Sequence, residues 1–75
     1  MAQFVGKVMR ETREGAGLKQ KDAAAIINVS QSTMCRIESG EIPLGLESFL
    51  ELCKAYGSDP AIVISRINQE ESEKN

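Results

Sequence analysis

Apolar positions along the chain recur at helical spacing, in five blocks separated by glycine, proline and asparagine. Phe4, Val5, Val8, Met9 and Thr12 form one stripe over residues 3–14. Residues 20–27, QKDAAAII, are short and rich in strong helix formers. Residues 31–38 follow Ser30, a good N-cap. Over residues 46–56, Leu46, Phe49, Leu50, Cys53 and Tyr56 share a face, and Gly57 suits the C-terminal cap. Asp59 and Pro60 supply a cap and a first-turn proline for a fifth helix reaching about Asn68. The closing QEESEKN reads as a flexible, solvated tail. No strand-like alternation appears. The pattern predicts an all-α, five-helix domain over residues 1–69, with an acidic tail over 70–75.

The stretch Gln20–Gly40 carries the most specific signal. Two helices that approach closely need small residues, and Ala23, Ala24 and Ala25 supply them. A sharp turn between helices needs a left-handed residue, and Asn28 is the best substitute for glycine. Val29 follows as an apolar plug, and Ser30 caps the next helix. On a wheel of residues 31–38, Met34 and Ile37 point inward while Gln31, Ser32, Cys35 and Arg36 point the opposite way. Glutamine can pair with an adenine edge, arginine with a guanine edge and serine with either. A generic solvated face would carry Glu–Lys pairs instead. The centre of this face has no acid to repel phosphate. The pattern is that of a helix-turn-helix over residues 20–38.

This stretch resembles the helix-turn-helix of the lambdoid phage repressor and Cro family, the XRE type. Gly6 to Arg13 looks like the family's first helix. Gly17-Leu18-Lys19-Gln20 resembles its "GLTQ", Ala24 its small-residue position, Val29-Ser30 its "VS", and Arg36-Ile37-Glu38-Ser39-Gly40 its "RIERG". The resemblance covers residues 4–57. Departures exist: Lys19 replaces a capping Ser or Thr, Ala23 a larger Leu, and Asn28 a Gly, while the Gly40–Leu46 connection is about one residue longer.

The resemblance implies roles. Gln31 and Ser32 open the helix that goes deepest into the major groove and read bases, with Arg36 one turn on. Gln20 contacts a phosphate at a helix N-terminus. Thr33, Lys19, Lys21 and Ser39 are further backbone contacts, and Lys7 and Arg10 belong to the same group of phosphate candidates. Cys35 is a small filler near thymine methyls rather than a redox switch. Arg13 and Glu38 form a structural ion pair. Ile62, Val63, Ile64 and Ile67 exceed what one face of a short helix can bury. Together with the family's habit of pairing through the end of the domain, they point to a homodimer interface on the fifth helix.

Charge first argues against this reading, because the chain is formally −2. Its distribution reverses the argument. Residues 1–40 carry six basic and four acidic side chains, a sum of +2, and residues 41–75 carry three and seven, a sum of −4. One basic face can meet phosphates while the rest stays acidic. The expectation is therefore a homodimeric, sequence-specific regulator of double-stranded DNA, a repressor on a pseudo-palindromic operator. The competing reading is a protein-interaction module, antitoxin-like or adaptor, working through the acidic half. The chain has no His, no glycine-rich phosphate loop and no nucleophile beside a base, which argues against an enzyme. Two separated cysteines without His make no zinc site. No cofactor or small-molecule ligand is expected. With no signal peptide and no apolar run long enough for a membrane, a cytoplasmic protein with free thiols is expected.

Overall fold

The computed structural model describes residues 2–74. Five helices follow one another: α1 Ala2–Gly15, α2 Gln20–Ile26, α3 Gln31–Ser39, α4 Leu46–Tyr56 and α5 Pro60–Lys74. No strand occurs among the described residues. Both cysteines are free thiols, Cys35 exposed and Cys53 buried. None of the helices is long and apolar enough to cross a membrane.

The core takes Phe4, Val8 and Met9 from α1, Ala23 and Ala24 from α2, and Met34 and Ile37 from α3. From α4 and α5 it takes Phe49, Leu52, Cys53, Tyr56, Val63 and Ile67. Thr12 belongs to the same buried stripe because its Oγ1 donates to the Val8 carbonyl at 2.7 Å, which satisfies the hydroxyl inside the helix.

Two glycines decide how closely α1 lies on α3. A Cβ on Gly6 would stand 2.5 Å from the carbonyl oxygens of both Ile37 and Glu38. A Cβ on Gly40 would stand 2.6 Å from the Gln3 Cα, and Gly40 also holds a left-handed φ of 87°. The backbones of α1 and the end of α3 are therefore in direct contact. Any side chain at either position would hold α3 further from α1.

The turn between α2 and α3 closes on Asn28, at a left-handed φ of 58°. The Asn28 N–H donates to the Ala25 carbonyl at 3.2 Å and the Val29 N–H to the Ala24 carbonyl at 2.9 Å. This pair of bonds satisfies carbonyls that the end of α2 would otherwise leave open. Ser30 then caps α3, its Oγ accepting from the Thr33 N–H at 3.0 Å. Lys19 has no capping oxygen at the start of α2. Asp22 replaces it from inside the first turn, accepting from the Lys19 N–H at 2.9 Å.

The structure departs from the pattern in three places. On α4, Leu46 and Leu50 are exposed, and the buried face runs through Phe49, Leu52, Cys53 and Tyr56. The face is turned by about one residue because α4 wedges between α2 and α5 and must cover both. Leu52, fully buried, was missing from the expected stripe.

On α5, Val63 and Ile67 are buried in the protomer's own core, so Val63 is not available as an interface residue and Ile67 shows only an edge, in the groove beside Ile64. Ile62 and Ile64 remain exposed. The helix also continues to Lys74 across the segment expected to be a tail, of which only Asn75 lies outside the described residues. Its second half is held on α1 by polar contacts. Arg66 donates to Glu11 at 2.9 Å and to the Thr12 hydroxyl at 3.3 Å, and Lys7 donates to Glu70 at 3.0 Å. That bond to Glu70 raises the Lys7 ammonium above its ordinary range.

Candidate nucleic-acid interface

The outer face of α3 presents Gln31, Ser32, Cys35 and Arg36, all exposed, while Met34, Ile37 and Glu38 are buried beneath. Together with Gln20 from α2 and Glu41 from the following loop, these four line one open cleft. Thus Gln20, Gln31, Ser32 and Arg36 are brought together. Among the described residues Arg36 enters no ion pair, nor do the exposed Lys19 and Lys21 on α2 and its approach. Free cationic and amide groups gathered on α2 and α3 suit hydrogen bonding to a polyanion's grooves and edges.

Other expected contacts have prior commitments. Lys7 pairs with Glu70 on the α5 side of α1, and Arg10 with Glu14 at 3.7 Å, so neither belongs to the cleft. Thr33 is half-buried, and its Oγ1 accepts from the Ser30 hydroxyl at 3.0 Å, which leaves the Thr33 hydroxyl proton available. The Ser39 hydroxyl has two acceptors, the Arg36 carbonyl and the Glu41 carboxylate, each at 3.1 Å. Gln20 uses one amide hydrogen on Glu38 at 3.1 Å and keeps the other.

Beneath the cleft lies the group that holds it in place. Arg13 Nε donates to Glu38 Oε2 at 2.7 Å, and a terminal nitrogen donates to Oε1 at 3.1 Å. The third nitrogen donates to the Leu18 carbonyl at 2.8 Å. A single buried carboxylate thus joins α1, α2 and α3, and the same guanidinium closes the turn between α1 and α2. The hydrogen bonds to Glu38 raise the Arg13 pKa above the usual guanidinium value, so this charge is permanent. Near enough to feel both charges lies Tyr56, whose hydroxyl is buried without a partner among the described residues. Burial pushes its pKa up to about 12, with the Glu38 charge acting in the same direction.

Two features escaped sequence reasoning. Gln20 also bonds to Glu38, and nothing in its sequence position signals that contact. Glu41 lies beyond the end of α3, where a helical wheel says nothing. The left-handed Gly40 was the one available signal that the chain turns back there.

A family model described as a helix-turn-helix domain matches residues 5–63. The chain belongs to the helix-turn-helix domain family. In this helix-turn-helix protein α2 and α3 are joined by a turn with Asn28 in the left-handed conformation. Two crystal structures of the clp gene regulator ClgR from Corynebacterium glutamicum share the fold. One has a TM-score of 0.83 at 22% identity, covering 92% of this chain and 90% of that one. The other has a TM-score of 0.89 at 20% identity, covering 97% and 78%. Likeness at this identity is likeness of fold. Curated protein sequences give no significant match.

Proposed function

We propose that this helix-turn-helix protein is a sequence-specific regulator of transcription, cytoplasmic and of the phage-repressor (XRE) type. It acts as a repressor whose homodimer occupies a pseudo-palindromic operator in double-stranded DNA. The observation that carries the reading is the outer face of α3. There Gln31, Ser32 and Arg36 stand exposed and unpaired on a helix locked to the domain by Gly6, Gly40 and the Arg13–Glu38 pair.

In this reading Gln31 and Ser32, at the N-terminal end of α3, meet base edges, and Arg36 follows one turn on. Gln20, Lys19, Lys21, Thr33 and Ser39 attend to the sugar-phosphate backbone. Two protomers place their α3 helices in successive major grooves, ~34–36 Å apart. The proposed dimer face joins α5 to α4 and the loop before α4. Ile64 lines an apolar groove with Val5, Leu44, Leu46, Phe49 and Ile67, and Leu50 continues the exposed row one turn beyond Leu46. Ile62 lies on another side of α5 and is not part of that groove.

Fluorescence anisotropy over random and pool-selected duplexes tests the proposal. Gln31→Ala reduces discrimination between sites, whereas Lys21→Ala weakens both kinds of duplex alike and lowers the salt slope by about 1. A Gln31→Ala protein with unchanged affinity and discrimination would refute the base-reading role.

A further inference from the structure

The DNA-facing cleft contains one acid that does not belong to α3. The geometry points to Glu41 as an electrostatic brake on sequence-independent binding, a residue that weakens phosphate contact for every DNA sequence alike. The inference rests on the DNA-binding reading above and deepens it.

Glu41 reaches the cleft through the backbone. Gly40, at φ 87°, reverses the chain, and the Glu41 N–H then donates to the Arg36 carbonyl at 2.9 Å. This folds the residue back over the last turn of α3. Its side chain is exposed and lines the same cleft as Gln20, Gln31, Ser32 and Arg36. The Ser39 hydroxyl donates to Oε2 at 3.1 Å and holds the carboxylate on this side of the loop. No other acidic side chain lines the cleft.

Position decides what such a carboxylate meets. A recognition helix sends its N-terminal residues to the base edges, and its far end rises towards the sugar-phosphate backbone. Gln31 and Ser32 stand at the first end and Glu41 beyond the other. Glu41 therefore faces phosphate, an anion against an anion, and also holds the Ser39 hydroxyl that a phosphate oxygen would take. Phosphate attraction supplies essentially all non-specific affinity. An acid placed there lowers that share without touching base contacts. Binding then depends on Gln31, Ser32 and Arg36 finding their bases.

The test compares wild type, Glu41→Gln, Glu41→Lys and Glu73→Gln by anisotropy across a salt series. The probes are a random-sequence duplex and the best duplex selected from a random pool. Glu41→Gln is expected to bind both more tightly by the same factor at low salt. It adds no phosphate contact, so its salt slope steepens by less than the ~0.9 that one contact carries. Glu41→Lys adds one, and its slope steepens by about 0.9 or more, ~3-fold more loss of affinity between about 50 and 200 mM. Glu73→Gln makes the same change in net charge on the far end of α5 and leaves binding unaltered.

Equal binding by Glu41→Gln and wild type would overturn the inference. So would a change of base preference at one position, which would make Glu41 a base reader. An equal gain in Glu73→Gln would assign the effect to net charge. If wild type binds neither duplex, the DNA-binding reading itself fails, and the wild-type titration shows this before any variant is compared.

Discussion

The Arg13 guanidinium and the Glu38 carboxylate, 25 residues apart in the chain, meet through two hydrogen bonds at 2.7 and 3.1 Å, with side chains 9% and 2% exposed. Removing either partner strands the other charge away from water. Arg13→Ala or Glu38→Ala is expected to cost about 3–5 kcal/mol in urea unfolding. Replacing both together, as Arg13→Met with Glu38→Leu, restores much of that stability, because the buried charges leave as a pair. A double variant as unstable as the sum of the two single ones would contradict this account.

Gly6 sets a different limit, one of space. Gly6→Ala places a methyl 2.5 Å from two carbonyl oxygens of α3, and backbone cannot swing aside as a side chain can. The helices must separate, at a cost of about 3 kcal/mol, or roughly 15 °C in melting temperature for a domain of this size. Gly15→Ala meets nothing within 4 Å and serves as the control. Calorimetry distinguishes the two directly.

Tyr56 ties stability to alkaline pH. Its folded pKa, about 12, lies above the ordinary phenol value of about 10 because the buried hydroxyl resists ionisation. The folded state holds the proton more tightly than the unfolded chain. The contribution is therefore complete below about pH 10 and is lost as pH rises towards about 12, some ~3 kcal/mol in all. Tyr56→Phe removes this loss. It also deletes a buried hydroxyl that has no partner, so at neutral pH the variant is expected to be at least as stable as wild type. Unfolding followed at neutral pH and again near pH 11 checks both halves of the prediction.

The proposed dimer face separates two isoleucines that look equivalent in sequence. Ile64→Glu and Leu46→Glu introduce charge into the apolar groove and are expected to shift sedimentation towards monomer. Ile62→Glu, off that groove, is expected to leave the balance unchanged. An Ile62→Glu protein that dissociates while Ile64→Glu does not would place the interface on the opposite side of α5.

The number and order of helices, the left-handed turn at Asn28, the cap at Ser30 and the outward set on α3 were all legible from residue order. These features depend on neighbours within about four positions, where capping, turn chemistry and the 3.6-residue period act. Which apolar residues are buried was legible on α1 and α3 but only in part on α4 and α5. Val63 and Ile67 go inward while Ile64 stays out, and Leu52 displaces Leu46 and Leu50, because each helix is rotated by the partners it covers and not by its own stripe. Past Asn68, α5 bonds to α1 through Glu70 and Lys7, 63 residues earlier. The same holds for the cleft. Gln31, Ser32 and Arg36 announce themselves by helical spacing, but only the folded chain brings Gln20 onto Glu38 and Glu41 to the edge of the cleft. Long-range proximity is a product of packing, and local spacing does not encode it.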